Sequence, residues 1–236
     1  MNRLSTFLKP GYAPNDSAQT YDGLNAETYW TPQRISESRS FQYDVYRLAA
    51  RLARKHGFRN CLDVGCGSAM KTKQFLASVV QSVYLVDQPS CRSLVEATFP
   101  EATFLPADLE HCDFRLAECF DLIICADVLE HLHDPWPCMS WIKRHLCPEG
   151  LAIFSSPERD ILRGTECMHS PHPAHVCEWN QAEFRSMLEA AGFVVHRQAL
   201  FPVSRLSPMT RTLRCLLPPQ CQPKHWKACQ VAVCSK

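Results

Sequence analysis

The chain has 236 residues, of which 46% are apolar and 21% charged, and its formal net charge is +1. Those values suit one globular domain with a full core and exclude a disordered or collagen-like chain. No apolar run approaches the roughly 18 residues of a membrane span, and no basic segment followed by an apolar stretch marks a signal peptide, so a cytoplasmic protein is expected.

Residues 1–32 are rich in Pro, Asn, Asp, Tyr and Gly and read as an irregular arm. An arm or lid over 1–35, followed by one domain over 36–236, is the expected organisation. From 36 to 56, Phe41, Val45, Leu48, Ala49 and Leu52 recur at helical spacing, and Gly57 supplies a stop. Strands and helices then alternate. Strands are expected at 61–65, 83–87, 103–106, 120–126 and 150–156, and helices at 69–79, 90–97, 137–146 and 180–191. Gly192 ends the last of these helices. Two further strands follow, at 193–201 and 228–235. They are separated by an insertion over 202–227 that holds Pro202, Pro208, Pro218, Pro219 and Pro223. Such alternation predicts an α/β fold with a mostly parallel sheet and helices on both faces.

The most informative run is Cys61-Leu62-Asp63-Val64-Gly65-Cys66-Gly67-Ser68-Ala69. It reads as a buried strand, a glycine turn and the start of a helix. Glycines let a ligand press against the backbone. The next strand ends on Asp87, where a carboxylate can accept two hydrogen bonds from a ribose diol. An adenosine-type cofactor is implied. A dinucleotide fingerprint needs a third glycine where Met70 stands, and no P-loop is present, so NAD and nucleotide triphosphates are not expected.

The run resembles motif I of the class I S-adenosylmethionine (SAM) methyltransferases, with Ala69 in place of the last glycine. The resemblance covers about residues 36–236. It implies a Rossmann-like seven-stranded sheet in the order 3-2-1-4-5-7-6, its last strand antiparallel. It implies SAM as cofactor, with Asp63 orienting the turn, Gly65 and Gly67 admitting the ligand, and Asp87 and Gln88 at the ribose. Asp108 and Leu109 would line the adenine. The run Ala126-Asp127-Val128-Leu129-Glu130-His131-Leu132 resembles the segment after strand four in this family. Ala126 and Asp127 would pass beneath the sulfonium, and His131 would orient the cofactor or act in catalysis.

Acceptor chemistry is expected beyond the fifth strand. The segment from Ser155 to Trp179 resembles elements of a bacterial methyltransferase subgroup associated with glycans and secondary metabolites. O-methylation of a small molecule or glycan precursor, possibly anionic, is the leading expectation. A hydroxyl nucleophile needs its proton removed. His175 is the expected base and Glu178 its orienting partner. Arg159 is expected to hold an anionic group, and Trp179, Tyr29 and Trp30 to contact the acceptor. His169, His172 and His175 are spaced three apart, but Pro171 and Pro173 break any helix that would align them. No metal is expected.

Fourteen cysteines include no C-x-x-C pair, and free thiols are expected. From Ala190 onward there are seven Lys or Arg and no Asp or Glu, which suits either an anion-facing surface or a basic face balancing an acidic body. Nucleic acid is not expected, because no aromatic-interleaved RNA signature accompanies the charge. The alternatives are RNA, protein or N-methylation, and a non-catalytic module on the same fold that binds a partner.

Overall fold

The structure is a computed structural model that describes residues 3–18 and 30–236. Tyr29 lies outside the described residues. Seven strands form one sheet: β1 (Asn60–Val64), β2 (Ser82–Asp87), β3 (Thr103–Pro106), β4 (Phe120–Ala126), β5 (Leu146–Pro157), β6 (Val194–Phe201) and β7 (Cys229–Ser235). Their order is β3-β2-β1-β4-β5-β7-β6. β1 to β5 run parallel, and β7 runs antiparallel to both β5 and β6. This is the Rossmann-like methyltransferase sheet.

The central strands are apolar on both sides because helices cover both faces. Leu62, Val64, Ile123 and Cys125 point into one core, with Val86, Trp141 and Phe154. Cys61, Leu122, Ile124 and Ile153 point into the other, with Ala49, Leu76 and Val95. β1 lies between β2 and β4, so the chain reverses its direction of winding there. The register sets Val64 beside Val86 on one side and Cys125 on the other. The strand ends that carry Gly65, Asp87 and Ala126 therefore open on one crevice.

The helix expected over 36–56 is two helices. α1 (Pro32–Ser38) begins at Thr31, whose hydroxyl accepts from the Arg34 N–H. α2 (Tyr43–His56) ends at Gly57 in the left-handed conformation. The break falls at Phe41 and Gln42. Phe41 pairs with Ser204, and the Gln42 N–H donates to Val203 O at 3.0 Å. Gln42 is left-handed, with φ 49°. Tertiary pairing with the insertion thus overrides helical periodicity.

α3 (Met70–Leu76), α4 (Arg92–Thr98), α5 (Pro135–His145) and α7 (Gln181–Ala190) fall where the pattern places them, within a few residues. A short α6 (Arg159–Leu162) follows β5, and the insertion carries α8 (Pro208–Leu216). β5 starts earlier than expected because Leu146 pairs with Phe120 ahead of the regular ladder. That pairing corrects one reading of the cysteines. Cys119 and Cys147 are 28 residues apart in sequence, but they flank the Phe120–Leu146 pair and are joined by a disulfide. The remaining cysteines are free and mostly buried.

Residues 3–18 dock along the segment after β5. Ala13 N–H donates to Met168 O and Asn15 N–H to Val176 O, at 2.8 and 2.7 Å. The buried Tyr12 hydroxyl accepts from the Glu178 N–H at 3.1 Å. No described helix is long and apolar enough to cross a membrane.

Candidate functional site

A cleft of about 450 Å³ opens at the carboxyl ends of β1, β2, β3 and β4. That size lies within the roughly 300–1,000 Å³ of small-molecule sites. Its floor is the turn after β1. Gly65 and Gly67 have φ 74° and 54°, where glycine carries no Cβ penalty. A Cβ on Gly65 would overlap Val128, and one on Gly67 would lie 2.7 Å from the Trp30 ring. Side chains are thus excluded on both sides of the turn. Ala69, the position where the family motif has glycine, is also left-handed at φ 55°. Its departure from the motif strains the backbone, since only Gly adopts that region without cost.

Asp63 lies under this turn and is fully buried. It accepts from the Tyr46 hydroxyl at 3.1 and 3.2 Å and from the Thr72 hydroxyl. Burial pushes its pKa up to about 7, against the pull of Thr72, Lys71 and Tyr46. It ties β1 to α2 and α3 and does not line the cleft. Asp87 does line it. Its two oxygens accept from Gly67 N–H at 2.7 Å and Gln88 N–H at 2.8 Å, so the acid and the turn fix one another. Burial raises the Asp87 pKa, and those two N–H groups oppose the rise.

Gln88, Asp108 and Leu109 line the same end. Asp108 also caps its own turn, accepting from Glu110 N–H at 2.9 Å and pairing with His111 at 2.6 Å. Trp30 lies against Gly67, at the glycine turn rather than beside the histidines.

Beyond β4 the cleft is lined by side chains from distant segments. Asp127 has φ 54°, and its carboxylate accepts from Gln42 Nε2 and Ser155 Oγ, both at 2.6 Å. Burial raises its pKa, opposed by the same two donors. The segment after β5 folds back over it, bringing His131, His172 and His175 together. The His175 ring centroid lies 3.9 Å from that of His172 and 4.7 Å from that of His131. His175 Nδ1 is 2.7 Å from Glu178 Oε1, and Arg163 holds the same carboxylate at 2.9 and 3.1 Å. Burial alone would raise the Glu178 pKa. The hydrogen bonds from His175 and Arg163 outweigh it and bring it down to about 2. Burial, reinforced by the His175 charge, holds His131 down to about 3 and His172 down to about 4.

Glu130 is the unexpected member. It is fully buried at the edge of the cleft, and neither carboxylate oxygen has a hydrogen-bond partner among the described residues. The Ser156 hydroxyl lies near enough to oppose the rise in the Glu130 pKa, though not at hydrogen-bond geometry. Burial, with the Asp127 charge, pushes the Glu130 pKa well above the carboxylate range.

Two expected acceptor contacts are corrected. Arg159 is buried beneath the segment after β5. Its guanidinium binds Glu183 at 2.6 and 3.0 Å and Asp160 at 2.9 Å, clamping the end of β5 to the start of α7. It has no face toward the cleft and cannot take a substrate anion. Trp179 is also fully buried, packed on Phe184 in the core. Sequence reasoning missed Gln42, Tyr46 and Lys71. The signal was present as polar side chains on otherwise core-facing helical positions. Lys71 Nζ donates to Ser38 O at 2.7 Å and lines the cleft.

Strand order, glycine turn and strand-end acids define a class I SAM-dependent methyltransferase. A family model described as a methyltransferase domain matches residues 37–198, and the chain belongs to that family. Among curated relatives, a "Probable S-adenosylmethionine-dependent methyltransferase" of Mycolicibacterium smegmatis is 29% identical over 188 residues, covering 79% of this chain and 67% of the relative. One of Mycobacterium tuberculosis is 29% identical over 194 residues, covering 81% of this chain and 65% of the relative. The chain thus spans about two thirds of these relatives' length. The fold is similar to that of N-methyltransferase NodS from Bradyrhizobium japonicum in complex with S-adenosyl-L-homocysteine (TM-score 0.57, 18% identity, 98% of this chain and 95% of that chain). It is also similar to a SAM-dependent methyltransferase from Clostridium acetobutylicum (TM-score 0.60, 12% identity, 89% of this chain and 96% of that chain).

Proposed function

We propose that this methyltransferase acts on oxygen, methylating a hydroxyl of a small molecule or glycan precursor. The observation that carries the reading is the His175–Glu178 pair at 2.7 Å, backed by Arg163, on the wall of the cleft beyond Asp127. When bound, SAM supplies a methyl group on a sulfonium, a good leaving group, so the protein's work is alignment and proton removal. In this proposal Gly65, Gly67, Asp87, Gln88, Asp108 and Leu109 hold the nucleoside. Ala126 and Asp127 form the floor at the reacting carbon. SAM held by these residues would supply the methyl group, its sulfur keeping the electron pair, and His175 would take the proton of the acceptor hydroxyl. Glu178 accepts from His175 Nδ1 and fixes the ring. The fit of SAM rests on the cleft beside the glycine turn, lined by Gly65, Gly67, Asp87 and Gln88.

The division into an arm over 1–35 and a catalytic domain over 36–236 belongs to the same proposal. The basic C-terminal stretch gives little support to an RNA acceptor. Arg211 pairs with Asp44 at 3.0 Å, Arg214 donates to Leu200 O at 3.0 Å, and Lys227 and Lys236 donate to backbone carbonyls.

The test is methyl transfer from labelled SAM to a panel of hydroxyl, phenol, carboxylate and amine acceptors. Turnover confined to hydroxyl or phenol compounds is the expected result. Turnover confined to amines would overturn the oxygen assignment.

A further inference from the structure

We propose that Glu130, His131 and His175 bind one divalent first-row transition-metal cation at the acceptor end of the cleft. One carboxylate oxygen and two imidazole nitrogens, one atom from each residue, lie within 4.8 Å of one another. Ligands about 2.1 Å from an ion stand about 3–3.5 Å apart, so small side-chain rotations close the set.

Two observations point to a ligand there. The first is Glu130. A buried carboxylate normally has hydrogen-bond donors, a paired charge or a metal. Glu130 is fully buried, and among the described residues neither oxygen has a donor at hydrogen-bond geometry. The second is the arrangement behind each histidine. His131 Nδ1 donates to Ala174 O at 2.6 Å, and His175 Nδ1 donates to Glu178 Oε1 at 2.7 Å. Each bond fixes the ring and puts the lone pair on Nε2. Metal-ligating imidazoles are held in this way, through the nitrogen that does not touch the ion. The backbone secures the geometry. Val176 and Cys177 N–H donate to the Glu130 carbonyl at 2.8 and 3.4 Å, fastening the segment that carries His175 to the turn that carries Glu130 and His131.

The donor set selects the ion class. Two imidazoles and one carboxylate suit Mn²⁺, Fe²⁺, Co²⁺ or Zn²⁺ better than Mg²⁺, and three protein ligands leave coordination positions open. His172 and Asp127 line the same part of the cleft, so the open side faces the acceptor. This role rests on the oxygen-methylation reading. A cation there lowers the pKa of an acceptor hydroxyl or phenol. The proton then goes to water, and His175 is a ligand in that state rather than the proton acceptor. Adjacent open positions suit an acceptor with two neighbouring oxygens.

The test is calorimetric titration of chelator-treated protein with MnCl₂ and, separately, ZnCl₂, with SAM titrated into the same preparations. The expected result is one ion per chain. Glu130→Gln and His175→Ala should each weaken ion binding by about tenfold or more, with SAM affinity held within about twofold. SAM binding also reports that each variant has folded. Two results would overturn the proposal: no stoichiometric binding of either ion by SAM-competent protein, or ion affinity unchanged in both variants. Ion binding that depends on Glu130 in a protein whose turnover with labelled SAM is confined to amines would support the metal site and sink the oxygen-methylation reading alone.

Discussion

The two ends of the cleft are built on different principles. At the end proposed for the cofactor, one contiguous turn and the tips of adjacent strands line the cleft, and backbone N–H groups fix the strand-end acid. Asp87 reaches back to Gly67 across a single strand pairing. At the end proposed for the acceptor, Gln42 just ahead of α2, the turn after β4 and the segment after β5 meet, and the Gln42–Asp127 bond alone spans 85 residues. A local motif can specify the first. The second exists only once the chain has folded.

Several measurements would break or sharpen this contrast. His175→Ala should leave SAM affinity within about twofold and reduce turnover by about 10²–10⁴-fold; equal loss of both would show that the two ends are not separable. Asp87→Ala should weaken SAM binding by about 100-fold, because it removes the expected ribose acceptor and two charge-assisted hydrogen bonds to the turn. Calorimetry reads this directly, and unchanged affinity would remove Asp87 from the site. Gly65→Ala should destabilise the fold by about 1–3 kcal/mol through overlap with Val128 and a positive φ, read as a lower midpoint in denaturant.

Proton linkage probes the support under the turn. Unfolded Asp titrates near 3.9, whereas burial raises folded Asp63 to about 7. Between those values the folded chain keeps a proton that the unfolded chain has released. Stability therefore falls as pH rises through this window. Asp63→Asn should flatten that part of the stability–pH curve, and an unchanged slope would show that Asp63 is ionised throughout. The smallest effect is expected at Ala69→Gly. Relief of the left-handed strain should stabilise the protein by about 1 kcal/mol.

The legibility of the sequence follows the same division. The β1–turn–α3 run was readable because its constraint is local: Gly65 and Gly67 must take positive φ where they stand. Six of the seven strands could be placed within a residue or two because burial on both faces writes them as apolar runs. β5 began early because a pairing at Leu146 with Phe120 lies outside any local pattern. The helix over 36–56 broke where Phe41 and Gln42 pair with residues more than 160 positions away. Arg159 and Trp179 carry residue types common in binding sites, but burial decided their roles, and burial is a property of the whole fold. His169, His172 and His175 are spaced three apart in sequence, and that spacing does not carry the grouping found in space. The grouping that forms is Glu130, His131 and His175, two of them from a different turn.

The docking of residues 3–18 has a consequence for engineering. Tyr12, Ala13 and Asn15 splint the same segment that presents His175 and Glu178. If that segment forms the proposed acceptor wall, acceptor preference can be retuned from outside the sheet, by exchanging residues 3–18 for those of another family member.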